Sequence, residues 1–287
     1  MIAGLLHTVP ALAPTFDALV AEAVPGAHRQ HVVDAWMLET AIAEGVTLAV
    51  RDRVASHLRH LADSGADAIL VTCSSIGEAA EAAAASLDIP VVRVDAAMAA
   101  EAARLASPSP ASQANNSPLF RPETPSDGRK TQELLAAGRI VVLATNTATL
   151  GPTTRLIERE AAARGVAAVV TATVVEGAAA ARAAGDQATH DRLIAQAVRD
   201  AAEPDQGPAA AVLVLAQASM APAAESAGVA VPVLTSPAGG VARLAAALTP
   251  SDPGTPDASA NRPAPPGSGG ISPRQPQTHT TSQAHTS

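Results

Sequence analysis

Tyrosine is absent from this chain, and aromatic residues of every kind make up only 1% of it. Platforms on which bases could stack are therefore missing, and a net charge of −8 leaves no basic stripe to follow a phosphate backbone. Together these exclude the usual nucleic-acid-binding plans. A single cysteine, Cys73, rules out an intrachain disulfide and every cysteine-based zinc motif. No apolar run is long enough to span a membrane. The apolar opening, residues 1–10, lacks the cationic start of a secretory signal and reads as a first strand. The expectations are no nucleic acid, no membrane and a cytoplasmic location. There is no Walker loop, no usable G-x-G-x-x-G fingerprint and no G-x-S-x-G elbow. Hydrophobic residues nevertheless make up 47%, so the core must be built from Ala, Val, Leu and Ile.

What is present is an alternation. Strand signals at residues 2–8, 28–33, 66–72 and 90–94 interleave with helical spacing at 14–23, 46–64, 75–86 and 95–105. After a Pro/Ser-rich stretch the order resumes. Strands at 139–144, 166–172, 210–215 and 231–234 are separated by helices at 152–164, 190–202 and 221–227, with a last helix at 241–248. Such alternation predicts an α/β fold of parallel sheets covered by helices. The boundaries read as a first α/β half at 1–106, a flexible insertion at 107–138 and a second half at 139–235. A C-terminal helix at 236–249 that can return to the first half and a disordered tail at 250–287 complete the chain. Within the insertion, Leu119-Phe120 reads either as a small docking point or as ordinary loop.

The halves match each other in three blocks. Residues 7–15 align with 145–153, both keeping Leu-x-Pro-Thr, so that His7 takes a hydroxyl position of the repeat. Residues 69–76 align with 213–220, which sets Cys73 against Gln217. Residues 89–92 align with 231–234. A duplicated α/β unit is implied. Ligands in parallel α/β sheets bind at the carboxyl ends of strands, so two facing halves would hold a small ligand between Cys73 and Gln217.

Cys73 closes the apolar run Ala68-Ile69-Leu70-Val71-Thr72 and precedes an Ala/Glu-rich helix. Unpaired N–H groups and the helix dipole at such a place favour thiolate over thiol and can hold a carboxylate; a free cysteine is equally a common buried residue. Ser74 and Ser75 could cap the helix or bind a carboxylate. Thr8, Thr145 and Thr149 follow first strands, where hydroxyls suit a carboxylate or simply a turn. His7, at a strand end, could relay a proton or be structural. Glu176, at another strand end, is a second candidate for a proton. His57 and His60 lie three apart on one helix, a spacing better explained by an exposed face than by a metal. His190-Asp191 reads as a helix start, and Gly239-Gly240 as a flexible entry to the last helix.

The strings Gly4-Leu5-Leu6-His7-Thr8-Val9-Pro10, Thr72-Cys73-Ser74-Ser75, Thr149-Leu150-Gly151-Pro152-Thr153 and Leu215-Ala216-Gln217-Ala218-Ser219-Met220 resemble the aspartate/glutamate/hydantoin racemase superfamily, across residues 1–104 and 139–248. The resemblance implies two pseudosymmetric, Rossmann-like parallel-sheet domains with an interdomain cleft. It also implies a cofactor-independent racemase-type isomerase, with no metal, acting next to the carboxylate of a small amino acid or related acid. Family members commonly form homodimers, which the Ala-rich helices here permit. Two cysteines, one per half, flank the substrate carbon in that family. Cys73 matches the first, and Gln217 stands where the second would be. Glutamine makes hydrogen bonds but is no acid or base near neutral pH. This leaves open a different second proton donor, a one-sided decarboxylase, lyase or maleate-type isomerase using Cys73 alone, or a non-catalytic binding protein for small acids. In each case Thr8, Ser74, Ser75, Thr145 and Thr149 are the expected carboxylate cradle.

Overall fold

A computed structural model of the chain describes residues 1–107, 138–203 and 209–249. The expected tail at 250–287, Leu119-Phe120 and nearly all of the insertion lie outside the described residues. Strands β1 (Ile2–His7), β2 (His28–Val33), β3 (Ala68–Val71) and β4 (Val91–Arg93) form one sheet. Strands β5 (Gly138–Ala144), β6 (Ala168–Val174), β7 (Ala210–Leu215) and β8 (Val233–Thr235) form the other. Every pairing is parallel, in the orders β2-β1-β3-β4 and β6-β5-β7-β8. The same topology therefore occurs twice. In each sheet the chain reverses its direction of growth between the two central strands. That is where an open α/β sheet forms its crevice. The crevices lie beyond the ends of β1 and β3, and of β5 and β7.

Strand register corrects one part of the repeat. Leu6 pairs with Val71 and Leu143 with Leu215, and Thr72 and Ala216 donate to the carbonyls of Leu6 and Leu143. Cys73 thus corresponds to Gln217 and Thr8 to Thr145. His7 corresponds to Ala144, not to a hydroxyl. The offset arises after β1, where a 3-10 turn (Pro10–Leu12) precedes helix α1 (Ala13–Ala23). In the second half, helix α6 (Thr147–Ala163) begins at once, five residues before the expected start. Asn146 caps it by accepting from the Thr149 N–H, and the helix absorbs Pro152.

Helices α2 (Ala35–Glu44), α3 (Leu48–Asp63), α4 (Gly77–Ala84) and α5 (Ala96–Leu105) complete the first half. Helices α7 (Ala178–Ala183), α8 (Gln187–Ala202), α9 (Ala221–Ala227) and α10 (Pro237–Leu248) complete the second. Neither α2 nor α7 is among the expected helices. Helix α8 starts before the expected His190: its cap is Asp186, which accepts from the Thr189 N–H, and His190 is buried inside the helix.

Alternate residues of each strand feed two cores. Leu6, Ile69 and Val71 pack with Val50, Val54 and Leu58 of α3 and Ile76. Ala3, Leu5 and Leu70 pack with Phe16 and Val20 of α1 and with Val241, Leu244 and Leu248 of α10. In the second sheet, Val141, Leu143, Leu213 and Leu215 meet Ile194 and Val198 of α8. Ile140, Val142, Val212 and Val214 meet Leu156 and Ile157 of α6 together with Met98, Ala99 and Ala102 of α5. Each half therefore sends its last helix to the other half's sheet. The two sheets belong to one compact unit. Among the described residues no helix is long and apolar enough to cross a membrane.

Gly239 and Gly240 lie inside α10 and serve a close approach. A Cβ on Gly240 would stand 2.8 Å from both the Cα and the carbonyl oxygen of Val94. Gly240→Ala should destabilise the fold by about 1–3 kcal/mol through this backbone clash. A thermal melt should show the midpoint several degrees lower, and an unchanged midpoint would remove the packing argument for this glycine.

Candidate functional site

Four strand ends deliver the site. Thr8 follows β1 and Cys73 follows β3; Thr145 follows β5 and Gln217 follows β7. A pocket of about 380 Å³, its open mouth included, is lined from the first half by Thr8, Val9, Leu12, Leu38, Thr72, Cys73, Ser74 and Ser75. The second half lines it with Thr149, Gln217, Ala218 and Ser219. The structure brings Cys73, Gln217, Thr8, Ser74, Ser75 and Thr149 to one cavity; Thr145 and His7 stand behind its wall. Cys73 is partly exposed. Glu176 is exposed just after β6 and is not among the lining residues.

The hydroxyls have definite partners. Ser74 Oγ donates to the carbonyl of Ala216, 3.1 Å away in the other half. Asn146 Oδ1 accepts both the Thr149 N–H and, at 3.1 Å, the Thr149 hydroxyl. Ser75 Oγ, 2.9 Å from Thr149 Oγ1, is therefore the donor of that pair. Neither serine caps α4, whose start has no side-chain cap. Gln217 Oε1 accepts from the Thr145 N–H at 2.5 Å and from Thr145 Oγ1 at 2.9 Å. A backbone N–H can only donate, so these bonds fix the amide's orientation, with oxygen toward Thr145 and the NH₂ group left for other acceptors. The protons of Ser74, Ser75, Thr145 and Thr149 are thus committed to protein acceptors. Thr8 differs: its Oγ1 is buried and has no partner. Thr8, the Gln217 amide and the hydroxyl of Ser219, which also lines the pocket, are side-chain donors left for a ligand. They are joined by the first N–H groups of the turn Ser74–Ile76, which have no partner within the turn.

Cys73 is the one side chain lining this pocket that can exchange a proton readily; the rest are hydroxyl, amide or apolar. Leu38, which gives one apolar side of the pocket, escaped the sequence reading because it sits on α2. Its signal was the apolar Trp36-Met37-Leu38 run after Asp34. The carboxylate of Asp34 accepts from Arg53 and, at 2.7 Å, lies against Nε2 of His57. His57 therefore has a carboxylate partner, and among the described residues no group of three His, Cys, Asp or Glu side chains could hold a metal.

Behind the pocket His7 is fully buried. Its Nδ1 lies 3.0 Å from Thr72 Oγ1 and its Nε2 lies 3.0 Å from Nδ1 of His31. Burial, and then the charge that His31 can carry, push the His7 imidazole down to about 4.

The architecture is that of the two-domain α/β racemase fold. A glutamate racemase of Bacillus anthracis superposes with a TM-score of 0.58 at 17% identity, over 85% of this chain and 80% of that one. A Thermus thermophilus glutamate racemase, solved with β-chloro-D-alanine, gives 0.55 at 20% identity over 86% and 79%. An allantoin racemase of Klebsiella pneumoniae gives 0.50 at 15% identity over 86% of each. At such identities the likeness is one of fold. No protein-family model and no curated protein matches the sequence.

The His7 shift has a consequence for stability. In the unfolded chain His7 takes up its proton near its ordinary value of 6.5, whereas in the folded protein it does so only near 4. Between these values the unfolded state binds more protons, so this contribution is complete above pH 6.5 and declines as pH falls toward 4. The loss amounts to roughly 2–4 kcal/mol. Denaturant unfolding from pH 7 to 4 should show a decline of this kind in the wild type and a smaller one in His7→Asn. Equal slopes would remove His7 as its source.

Proposed function

We propose that this protein is a cofactor-independent enzyme built on the racemase fold that exchanges a proton at the carbon next to the carboxylate of a small acid, with Cys73 as its acid/base. The observation that carries this reading is the placement of Cys73 and Gln217. They occupy equivalent positions after β3 and β7 and line the same pocket. The fold shared with racemases named for glutamate and allantoin supports a small substrate with an acidic carbon.

Chemistry at this site is one-sided. Cys73 as thiolate takes the proton from carbon, the C–H electron pair moves into the carboxylate or carbonyl, and the Cys73 thiol returns a proton to the same face. Negative charge that gathers on oxygen in between meets N–H and O–H donors already in place: the Gln217 amide, Thr8 and the turn Ser74–Ile76. Fixed donors of this kind stabilise the charge with little reorganisation. Ser74, Ser75 and Thr149 shape the cavity through the hydrogen bonds that knit the halves, and Thr145 aims Gln217. The solitary thiol also favours a second reading, decarboxylation of a disubstituted malonate. There the C–CO₂ bond breaks, carbon dioxide leaves, the electron pair forms an enediolate, and the Cys73 thiol protonates the carbon before recovering a proton from water.

Proton NMR in D₂O with aspartate, glutamate, hydantoins, arylmalonates and maleate tests both readings. Wild type should exchange an α-proton, or release carbon dioxide, on at least one of these, and Cys73→Ala should lower that rate by about 100-fold or more. Ligand-dependent stabilisation without turnover in any of them would replace the enzyme with a binding protein for small acids. Gln217→Cys supplies a thiol to the opposite wall. On the substrate that wild type exchanges with retention, the variant should show inversion accompanying exchange by chiral chromatography, and continued retention would sink the opposed-wall geometry.

A further inference from the structure

The bonds that begin behind the pocket do not stop at His7. Thr72, in the pocket wall, meets His7, His7 meets His31, and His31 Nε2 lies 3.1 Å from Asp17 Oδ1 at the surface. The His7 and His31 ring centroids are 5.2 Å apart and their planes differ by 11°. With the nitrogens at 3.0 Å, this is the disposition of two imidazoles sharing an in-plane N–H···N bond. We propose that Thr72, His7, His31 and Asp17 form a proton relay between the cleft and the protein surface, and that each passage of a proton reverses the direction of its hydrogen bonds. The relay goes beyond the acid/base reading of Cys73 and rests on it only for the use made of the proton.

Two complete bonding orders fit the same atoms. When His31 is neutral, the Asp17 carboxylate requires the proton on His31 Nε2, because a carboxylate only accepts. His31 Nδ1 then accepts from His7 Nε2–H, and His7 Nδ1 accepts from the Thr72 hydroxyl. When His31 is a cation, its Nδ1–H donates to His7 Nε2, and His7 Nδ1–H donates to Thr72 Oγ1. The Thr72 hydroxyl turns to the carbonyl of Leu6, 3.1 Å away. The first order becomes the second by a balanced shift. A proton from cleft water joins Thr72 Oγ1, the hydroxyl proton of Thr72 passes to His7 Nδ1, and the His7 Nε2 proton passes to His31 Nδ1. The positive charge comes to rest beside Asp17, and the reverse shift delivers a proton to the cleft. His7 must stay neutral to take part, as its burial ensures.

Register puts His31 beside Leu5, on the face of the first sheet that α1 and α10 cover. The charged groups facing it there are Asp17 from α1 and its strand neighbour Arg29, whose Nε donates to the same carboxylate oxygen at 2.7 Å. Toward this face α10 presents Val241, Leu244 and Leu248. Helix α3 packs on the opposite face, where Gln30 donates to the carbonyl of Ser64. His31 is therefore the outlet at which a proton can be exchanged with solvent, held by one carboxylate. Neither histidine touches the ligand; both act through Thr72.

Imidazole ¹⁵N spectra of the full-length, histidine-labelled protein, assigned with His7→Asn and His31→Asn, read the relay without any substrate. His7 should carry its proton on Nε2 while His31 is neutral and on Nδ1 once His31 is charged. A His7 tautomer that stays the same while His31 titrates would overturn the relay. On whichever substrate shows Cys73-dependent turnover, His31→Gln should lower kcat at least about tenfold with KM unchanged. It should also abolish the part of the pH–rate profile that follows His31 protonation. A wild-type kcat and profile in His31→Gln would overturn the relay's part in turnover. If no substrate turns over, the spectra alone decide the relay, and the failure belongs to the proposed function.

Discussion

The reciprocal placement of α5 and α10 is the constraint from which the rest of the structure follows. Each helix leaves its own half and buries its apolar face on the other half's sheet, Met98, Ala99 and Ala102 in one direction and Val241, Leu244 and Leu248 in the other. Full burial of a leucine or valine contributes roughly 1.5–3 kcal/mol, so neither sheet is covered without its neighbour. The surface pairs Arg155–Glu78 and Arg159–Glu81 also cross between the halves. As exposed ion pairs they add little energy but help to fix register. The buried bonds from Ser74 to Ala216 and from Ser75 to Thr149 complete the seam.

That seam decides what the cleft can offer. Hydroxyls in a pocket wall look available to a ligand, yet here most of them tie one half to the other or orient a neighbour. In the proposed function, carboxylate recognition falls to Thr8, Ser219, an amide whose oxygen is held by Thr145, and backbone N–H groups. In the proposed reaction the Gln217 wall offers hydrogen-bond donors and no acid, so chirality at the reacting carbon would be set from one side. On the Cys73 side the polar chain continues inward through Thr72 and His7, both in the first half. The second half has no counterpart, since Ala144 and Ala216 occupy the equivalent positions.

Much of this was readable in the residues. All eight strands were located within a few residues, because runs such as Ala68–Val71 and Ala210–Leu215 combine strong β-formers with burial on both faces. The strand ends in turn located Cys73, Gln217 and Thr8. Helices were harder. Helix α7, Ala178–Ala183, is nearly all alanine and too short to show a period, and Pro152 hid the first turns of α6. The directions of the hydrogen bonds were not readable at all. Whether Ser74 serves a ligand or the Ala216 carbonyl depends on a partner 142 residues away, and His7 meets His31 only because Leu5 pairs with His31 in the sheet. The one-residue slip in the repeat had the same origin: conserved-looking Leu-x-Pro-Thr strings follow connections of unequal length, and only the backbone pairing counts from the strand.

The two matching sheets carry a further meaning once Cys73 and Gln217 are seen as equivalents. In an assembly of two identical subunits, any change on one wall of a shared cleft appears on the other, because both are encoded by one codon. Joining the halves in one chain removes that restriction. Each wall can then change alone, and a thiol can face an amide. The asymmetry of this cleft is a freedom conferred by covalent linkage, and it lets a symmetric scaffold hold a handed site.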